Sequence, residues 1–122
     1  MTESFITAQQ LFNRVLDIIE FTDNRYDLQN HLMHETLVLA CHEGLKGTRH
    51  GFGNLSSQVD SLCKKHHIKA QDVIAIHLMR RHSNSIAPIS HNDLLYDCRA
   101  LALFIAAVFN TSIPSYLVDK IP

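Results

Sequence analysis

The chain has 122 residues, enough for one hydrophobic core, and we expect a single domain over residues 1–122. Hydrophobic residues make up 46% and charged residues 19%, which excludes a disordered chain, and four glycines with three prolines are too few for a turn-rich β-sandwich. The net charge of −1 combines seven acids and two bases in residues 1–45 (−5), two acids and seven bases in residues 46–82 (+5), and three acids and two bases thereafter (−1), so we expect a basic face.

The sequence also indicates the compartment. No apolar run approaches the roughly 18 residues of a membrane span, and the start "MTESFITAQQ" lacks the basic and apolar regions of a secretory signal. Cys41, Cys63 and Cys98 lie far apart in apolar helical patterns and form no CxxC motif. The sequence therefore predicts a cytoplasmic protein with reduced, buried thiols.

Two helices are predicted in the first part of the chain from apolar residues that recur at three- and four-residue spacing. Thr7 and Gln10 form a capping-box pattern at the start of the first helix, and "TDNR" at residues 22–25 ends it. The second helix is predicted from about Asp27 to His42. Gly44 follows where a left-handed C-terminal residue is favoured.

Two shorter helices follow the glycine-rich segment at residues 44–54, which we interpret as a loop. Helix three is predicted from about Asn54 to His66, and helix four from about Ala70 to His82. The residues of helix four predicted to point inward, or nearly so, are Val73, Ile74, Ile76 and His77.

The fifth helix is apolar on almost every side over residues 98–109, which is typical of a central helix covered by its neighbours. Ser90 is a good N-cap for it, with Asp93 at the third helical position. Ile113–Pro114 can begin a short last helix.

These elements predict an all-α fold, a compact single-domain bundle of five to six helices with an apolar central helix near residues 91–109. No long alternating strand pattern is present. Leu62, Leu101 and Ile105 are expected to be the most buried residues.

Nine histidines invite a metal hypothesis, but their spacing does not support one. "HETLV" at residues 34–38 begins like the zinc motif HExxH, with Val38 in place of the second histidine. His31 and His34 could share a helix face, but no second His–carboxylate set accompanies them. We predict no metal and no cofactor; an independent metalloenzyme stays open only because of the histidine count.

No catalytic residue is predicted either. The chain has no GxSxG motif, and "GTRHGFGN" lacks the Lys–Ser/Thr pair of a phosphate-binding loop. Asp72, Asp93 and Asp97 are interpreted as solvated or capping carboxylates on helix surfaces.

The segment "CKKHHIKAQDVIAIHLMRRHSNS", residues 63–85, holds five of the eleven Lys and Arg residues, four of the nine histidines and one acid. Such a stretch can be a solvated face, a nucleic-acid-binding face or a protein-partner surface. The candidate phosphate contacts are Lys64, Lys65, Lys69, Arg80 and Arg81. His66, His67 and His82 could add charge below about pH 6.5.

The simplest explanation of the positive charge in this segment is that cations at helix C-termini are stabilised by the helix dipole. The two helices and the short turn between them are also compatible with a DNA-binding helix–turn–helix motif. The second helix of that motif, however, contacts bases with its N-terminal residues. Here those residues are Ala70, Gln71 and Asp72, and the arginines lie at the far end. The pattern therefore favours phosphate contact over base reading.

Three segments resemble a helical region on the N-terminal side of large bacterial ATP-dependent DNA helicases: "GFGNLSSQVDSLCKKHHI" (51–68), "IAIHLMRRHSNS" (74–85) and "DLLYDCRALALFIAAVFNTSIP" (93–114). The resemblance covers about half the chain and includes no ATP-binding residue. It implies a fragment or accessory domain of a larger helicase or DNA-repair enzyme, whose partners are nucleic acid and the parent's other domains. The alternative is a small protein-interaction or self-association module, such as a weak homodimer, without nucleic-acid binding.

Overall fold

The computed structural model describes residues 6–21, 26–47, 53–85 and 87–122. All the regular elements in these ranges are helices, so the all-α prediction is confirmed. The predicted break at "TDNR" and residues 48–52 of the glycine-rich segment lie outside the described residues. The helices are α1 (Ala8–Glu20), α2 (Tyr26–Gly44), α3 (Leu55–Lys65), α4 (Ala70–Ser83), α5 (His91–Val108) and α6 (Ser115–Val118).

Two helix starts confirm the predicted capping residues. The Thr7 hydroxyl accepts a hydrogen bond from the Gln10 backbone N–H at 3.2 Å, and the Gln10 side-chain oxygen accepts one from the Thr7 N–H at 2.9 Å. This is the reciprocal capping box. At α5 the Ser90 hydroxyl accepts from the Asp93 N–H at 3.1 Å. Each cap satisfies a donor that would otherwise be left unpaired in the first turn.

The interpretation of Gly44 as a left-handed cap is wrong. Gly44 is the last residue of α2, and the left-handed residue is Gly47, whose φ is +77°. A Cβ on Gly44 would lie 2.8 Å from Val108 Cγ1 and 2.9 Å from Leu62 Cδ2. The glycine therefore permits a close approach of α2 to α3 and α5.

Left-handed residues do end α3 and α5, but they are not glycines. His67 has φ +53° and Asn110 has φ +51°. The N–H of the following residue reaches back five positions in each case, from Ile68 to the Cys63 carbonyl at 3.0 Å and from Thr111 to the Ala106 carbonyl at 2.9 Å. Both ends are therefore Schellman motifs, which turn the chain sharply out of the helix.

The centre of the bundle is α5, which packs against α1, α2 and α4. Leu62, Leu101 and Ile105 are fully buried, which confirms the predicted core positions. The three cysteines are buried and free, as predicted. Burial is the main cause that raises the pKa of Cys41 and Cys98 to about 12 and of Cys63 to about 11, so the thiols stay protonated.

One prediction for α4 is wrong. Ile76 is buried, but Ile74 is 71% exposed. The core contacts of α4 are made by Ile76 and Met79, and a residue two positions from Ile76 lies about 200° away around the helix. Ile74 therefore points to solvent on the outer face of α4.

Candidate nucleic-acid interface

Most of the basic stretch lies in the α3–α4 hairpin, residues 55–83, in which four residues connect two helices that pack against each other. A contact distant from the turn joins the two helices of the hairpin. There, His77 Nε2 on α4 lies 2.6 Å from Asp60 Oδ1 on α3. A shallow groove of about 330 Å³ follows the contact between the two helices. Asp60 and Lys64 line it together, so the groove itself carries mixed charge.

The five candidate cations fall into two groups. Lys64 and Lys65 end α3 and Lys69 precedes α4, and all three side chains are exposed at the turn. Arg80 and Arg81 lie in the last turn of α4. The eleven positions from Lys69 to Arg80 correspond to a rise of about 16 Å along a helix. The structure therefore gathers the lysines at one end of α4 and the arginines at the other.

The two arginines have different surroundings. Arg81 is exposed. Arg80 is half-buried, and its Nε donates a hydrogen bond to His77 Nδ1 at 3.1 Å. Because the other ring nitrogen of His77 contacts Asp60, the three side chains form one continuous chain of hydrogen bonds. Arg80 is thus the one candidate cation held in a defined geometry.

The interpretation of Asp97 as a solvated or capping carboxylate on a helix surface is wrong. Its side chain is 4% exposed, and its Oδ2 lies 2.7 Å from Nδ1 of His82. Burial raises the Asp97 pKa above its usual value, and the hydrogen bond to His82 opposes that rise. His82 therefore links the end of α4 to α5 and is not a free addition to the basic surface.

The sequence contained a signal for Asp97. The residues three positions before it and four after it, Leu94 and Leu101, are both on the buried face of α5. A residue between them at these spacings lies on the same face of a helix. A buried aspartate requires a partner, but the identity of that partner depended on the packing of α4 against α5.

The two histidines at the turn have different positions. His67 lies in the α3–α4 groove, whereas His66 lines a separate groove of about 530 Å³ beside the C-terminal end of α5. Burial, followed by the charges of Lys65 and His67, lowers the pKa of His66. His66 therefore needs a pH lower than the expected 6.5 to add charge.

The described part of the chain shows no metal site and no membrane span. Among residues 6–21, 26–47, 53–85 and 87–122, no three side chains of His, Cys, Asp or Glu are grouped so that they could hold a metal ion. In those same ranges, no helix combines the length and the apolar character needed to cross a bilayer.

The resemblance to helicase segments remains a prediction. No known protein family, curated protein or solved structure matches the chain at a significant level.

Proposed function

We propose that the chain is a non-catalytic accessory domain of a bacterial DNA helicase or DNA-repair enzyme, and that its α3–α4 hairpin contacts nucleic-acid phosphates. The resemblance of three helical segments supports the parent enzyme class and, with it, a cytoplasmic location. The placement of the cations supports the phosphate contact.

The observation that carries the proposal is a contrast in ion pairing. Outside the hairpin, three of the four described Lys and Arg residues are paired with carboxylates, as Arg14–Glu35 at 3.5 Å, Lys46–Glu43 at 3.2 Å and Lys120–Glu20 at 3.6 Å, and Arg99 is the exception. On the hairpin, the exposed cations have no carboxylate partner among the described residues, and these are Lys64, Lys65, Lys69 and Arg81. Unpaired cations can neutralise phosphates and release counterions without first breaking an ion pair.

The arrangement favours phosphate contact over base reading. The first residues of α4, Ala70 and Gln71, are exposed but short or uncharged, and the cations lie about 16 Å apart at the two ends of the helix. Cations spaced in this way can contact separate phosphates along one backbone. Such contacts give affinity with little dependence on base sequence.

The test is fluorescence anisotropy with single-stranded and duplex DNA, titrated between about 50 and 200 mM salt. Four or five phosphate contacts predict a log–log slope of about −3 to −4.5. Lys65→Glu combined with Arg81→Glu reverses one cation in each group and should weaken binding at least about tenfold. The matched control is Lys46→Glu with Lys120→Glu, which changes the net charge equally but outside the hairpin.

Two results would contradict the proposal. One is no binding at the lowest salt. The other is an equal loss of affinity in both double variants, since that would show a general effect of net charge and no site on the hairpin.

A second candidate function, a protein-interaction or self-association module, is favoured by the outer face of α4. Ile74 is 71% and Leu78 is 46% exposed, and they lie one turn apart on the same face. Adjacent exposed apolar residues favour a protein contact. Light scattering over a salt series tests this function: a dimer that dissociates when Ile74 and Leu78 are both changed to Asp supports it, and a monomer under all conditions removes self-association.

A further inference from the structure

Arg80 differs from the other candidate cations because a chain of hydrogen bonds determines its orientation. The chain runs from Asp60 Oδ1 to His77 Nε2 at 2.6 Å, and from His77 Nδ1 to Arg80 Nε at 3.1 Å. An arginine Nε always carries a proton and can only donate. His77 Nδ1 must therefore accept, so Nε2 carries the proton of the neutral ring and donates it to Asp60.

The guanidinium of Arg80 retains its terminal nitrogens for another ligand. Within the described residues, neither of them has a hydrogen-bond or ion-pair partner; the single side-chain hydrogen bond of Arg80 is the one that its Nε donates to His77. Because the guanidinium is planar, a hydrogen bond at Nε restrains the plane in which the terminal N–H groups point.

We propose that Asp60 and His77 are positioning residues that hold Arg80 so that its two terminal nitrogens bind one nucleic-acid phosphate in bidentate geometry. This inference rests on the proposed function and names the residue that makes its most specific contact. Planar guanidinium groups match phosphate oxygens with two parallel hydrogen bonds. A side chain that is ordered before binding loses less conformational entropy when the ligand arrives.

A purely structural role explains only one of the two hydrogen bonds that link Asp60, His77 and Arg80. The Asp60–His77 contact joins α3 to α4 and can stabilise the hairpin. Arg80 and His77 lie on the same helix, three residues apart, so their hydrogen bond joins no two elements. The consequence of that bond is the orientation of Arg80, and this difference makes the two roles separable by mutation.

Two substitutions at His77 separate the roles. His77→Asn places an amide oxygen near the position of Nδ1, which keeps the acceptor for Arg80 and removes the contact with Asp60. His77→Gln carries its amide N–H to the position of Nε2, which keeps the contact with Asp60 and removes the acceptor for Arg80. We expect His77→Gln to bind an oligothymidylate of about 20 nucleotides 3- to 10-fold more weakly than the wild type.

The two His77 variants should rank in the opposite order in thermal stability. We expect His77→Asn to keep its affinity within about twofold but to melt at a lower temperature than His77→Gln, because it has lost the contact between helices. Affinities that follow the order of melting temperatures would overturn the inference, since they would show that His77 acts only through the hairpin.

Arg80→Lys and Arg81→Lys form the matched comparison at the phosphate. Both keep the charge, but only Arg80→Lys loses the hydrogen bond to His77 and the oriented fork. We expect a 3- to 10-fold weaker affinity for Arg80→Lys and less than about a twofold change for Arg81→Lys. If the wild type binds nucleic acid and the two variants have equal affinities, the positioning of Arg80 is overturned and the proposed function is left intact. If the wild type binds no nucleic acid, both are overturned.

Discussion

Helix α4 carries two histidine–aspartate pairs of similar length that differ in burial. His77 and Asp60 lie 2.6 Å apart, with side chains that are 14% and 58% exposed, so in this pair the carboxylate is the exposed partner. His82 and Asp97 lie 2.7 Å apart, with an Asp97 side chain that is only 4% exposed. Distance alone would rank the two pairs as equivalent.

Burial gives the pairs different roles. At Asp60, water can replace the histidine at little cost, so the surface pair contributes little to stability and can serve to orient Arg80. The Asp97 carboxyl group is almost inaccessible to water, so removal of His82 leaves it buried and unsatisfied, whereas removal of Asp97 leaves a His82 side chain that is 27% exposed. The surface pair is therefore expected to influence binding, and the buried pair to hold α4 against α5.

The largest expected effect is that of Asp97→Ala. We expect it to lower the free energy of unfolding by about 3 kcal/mol, the lower end of the range for a broken buried pair, because the His82 side chain is 27% exposed and can be partly solvated. Urea denaturation followed by circular dichroism measures this change.

Asp93→Ala is the control for that substitution. It makes the same change one turn earlier on α5 at an exposed position and should cost less than about 1 kcal/mol. Equal costs for the two variants would show that the burial of Asp97 contributes nothing to the difference between the pairs.

The two pairs also show what could be predicted from the sequence. Helix positions and two caps depend on local spacing and on side chains three residues apart, and Thr7–Gln10 and Ser90–Asp93 form as predicted. The partner of Asp97 depends on which residue of another helix packs opposite it. That information is not contained in the periodicity of either helix.

Ile74 shows a second limit. Helix α4 has hydrophobic residues at positions 70, 73, 74, 75, 76, 78 and 79, which surround most of its circumference. A periodic pattern cannot identify the buried face of such a helix. The sequence likewise identified the five candidate cations and their places at opposite ends of helix four, but only the fold ties Arg80 to His77.

The next largest expected effect is a change in the stability contribution of Asp97 with pH. Burial raises the pKa of Asp97 above the ordinary value of 3.8, so the folded protein retains this proton at pH values where the unfolded chain has released it. The contribution of Asp97 to stability is then largest below pH 3.8 and declines as the pH rises through the raised pKa. Asp97→Asn cannot ionise and lacks this dependence.

The measurement is the free energy of unfolding of the wild type and of Asp97→Asn, from about pH 3.5 to about pH 6.5. We expect the wild type to lose stability relative to the variant as the pH increases. A relative gain would mean that the hydrogen bond from His82 outweighs burial and that the pKa of Asp97 is lowered in the folded protein.

The smallest expected effect is that of Asp60→Ala, at about 0.5 kcal/mol, because a hydrogen bond to a 58% exposed carboxylate is weakened by solvent in the same way as exposed ion pairs, which contribute between about 0 and 1 kcal/mol. A double-mutant cycle that combines Asp60→Ala with His77→Ala isolates the coupling between the two side chains, and the matching cycle at Asp97 and His82 provides the comparison. We expect the buried pair to have the larger coupling. If the two coupling energies were equal, exposure of the carboxylate would not distinguish the pairs, and the surface pair would stabilise the hairpin as strongly as the buried pair holds α4 against α5.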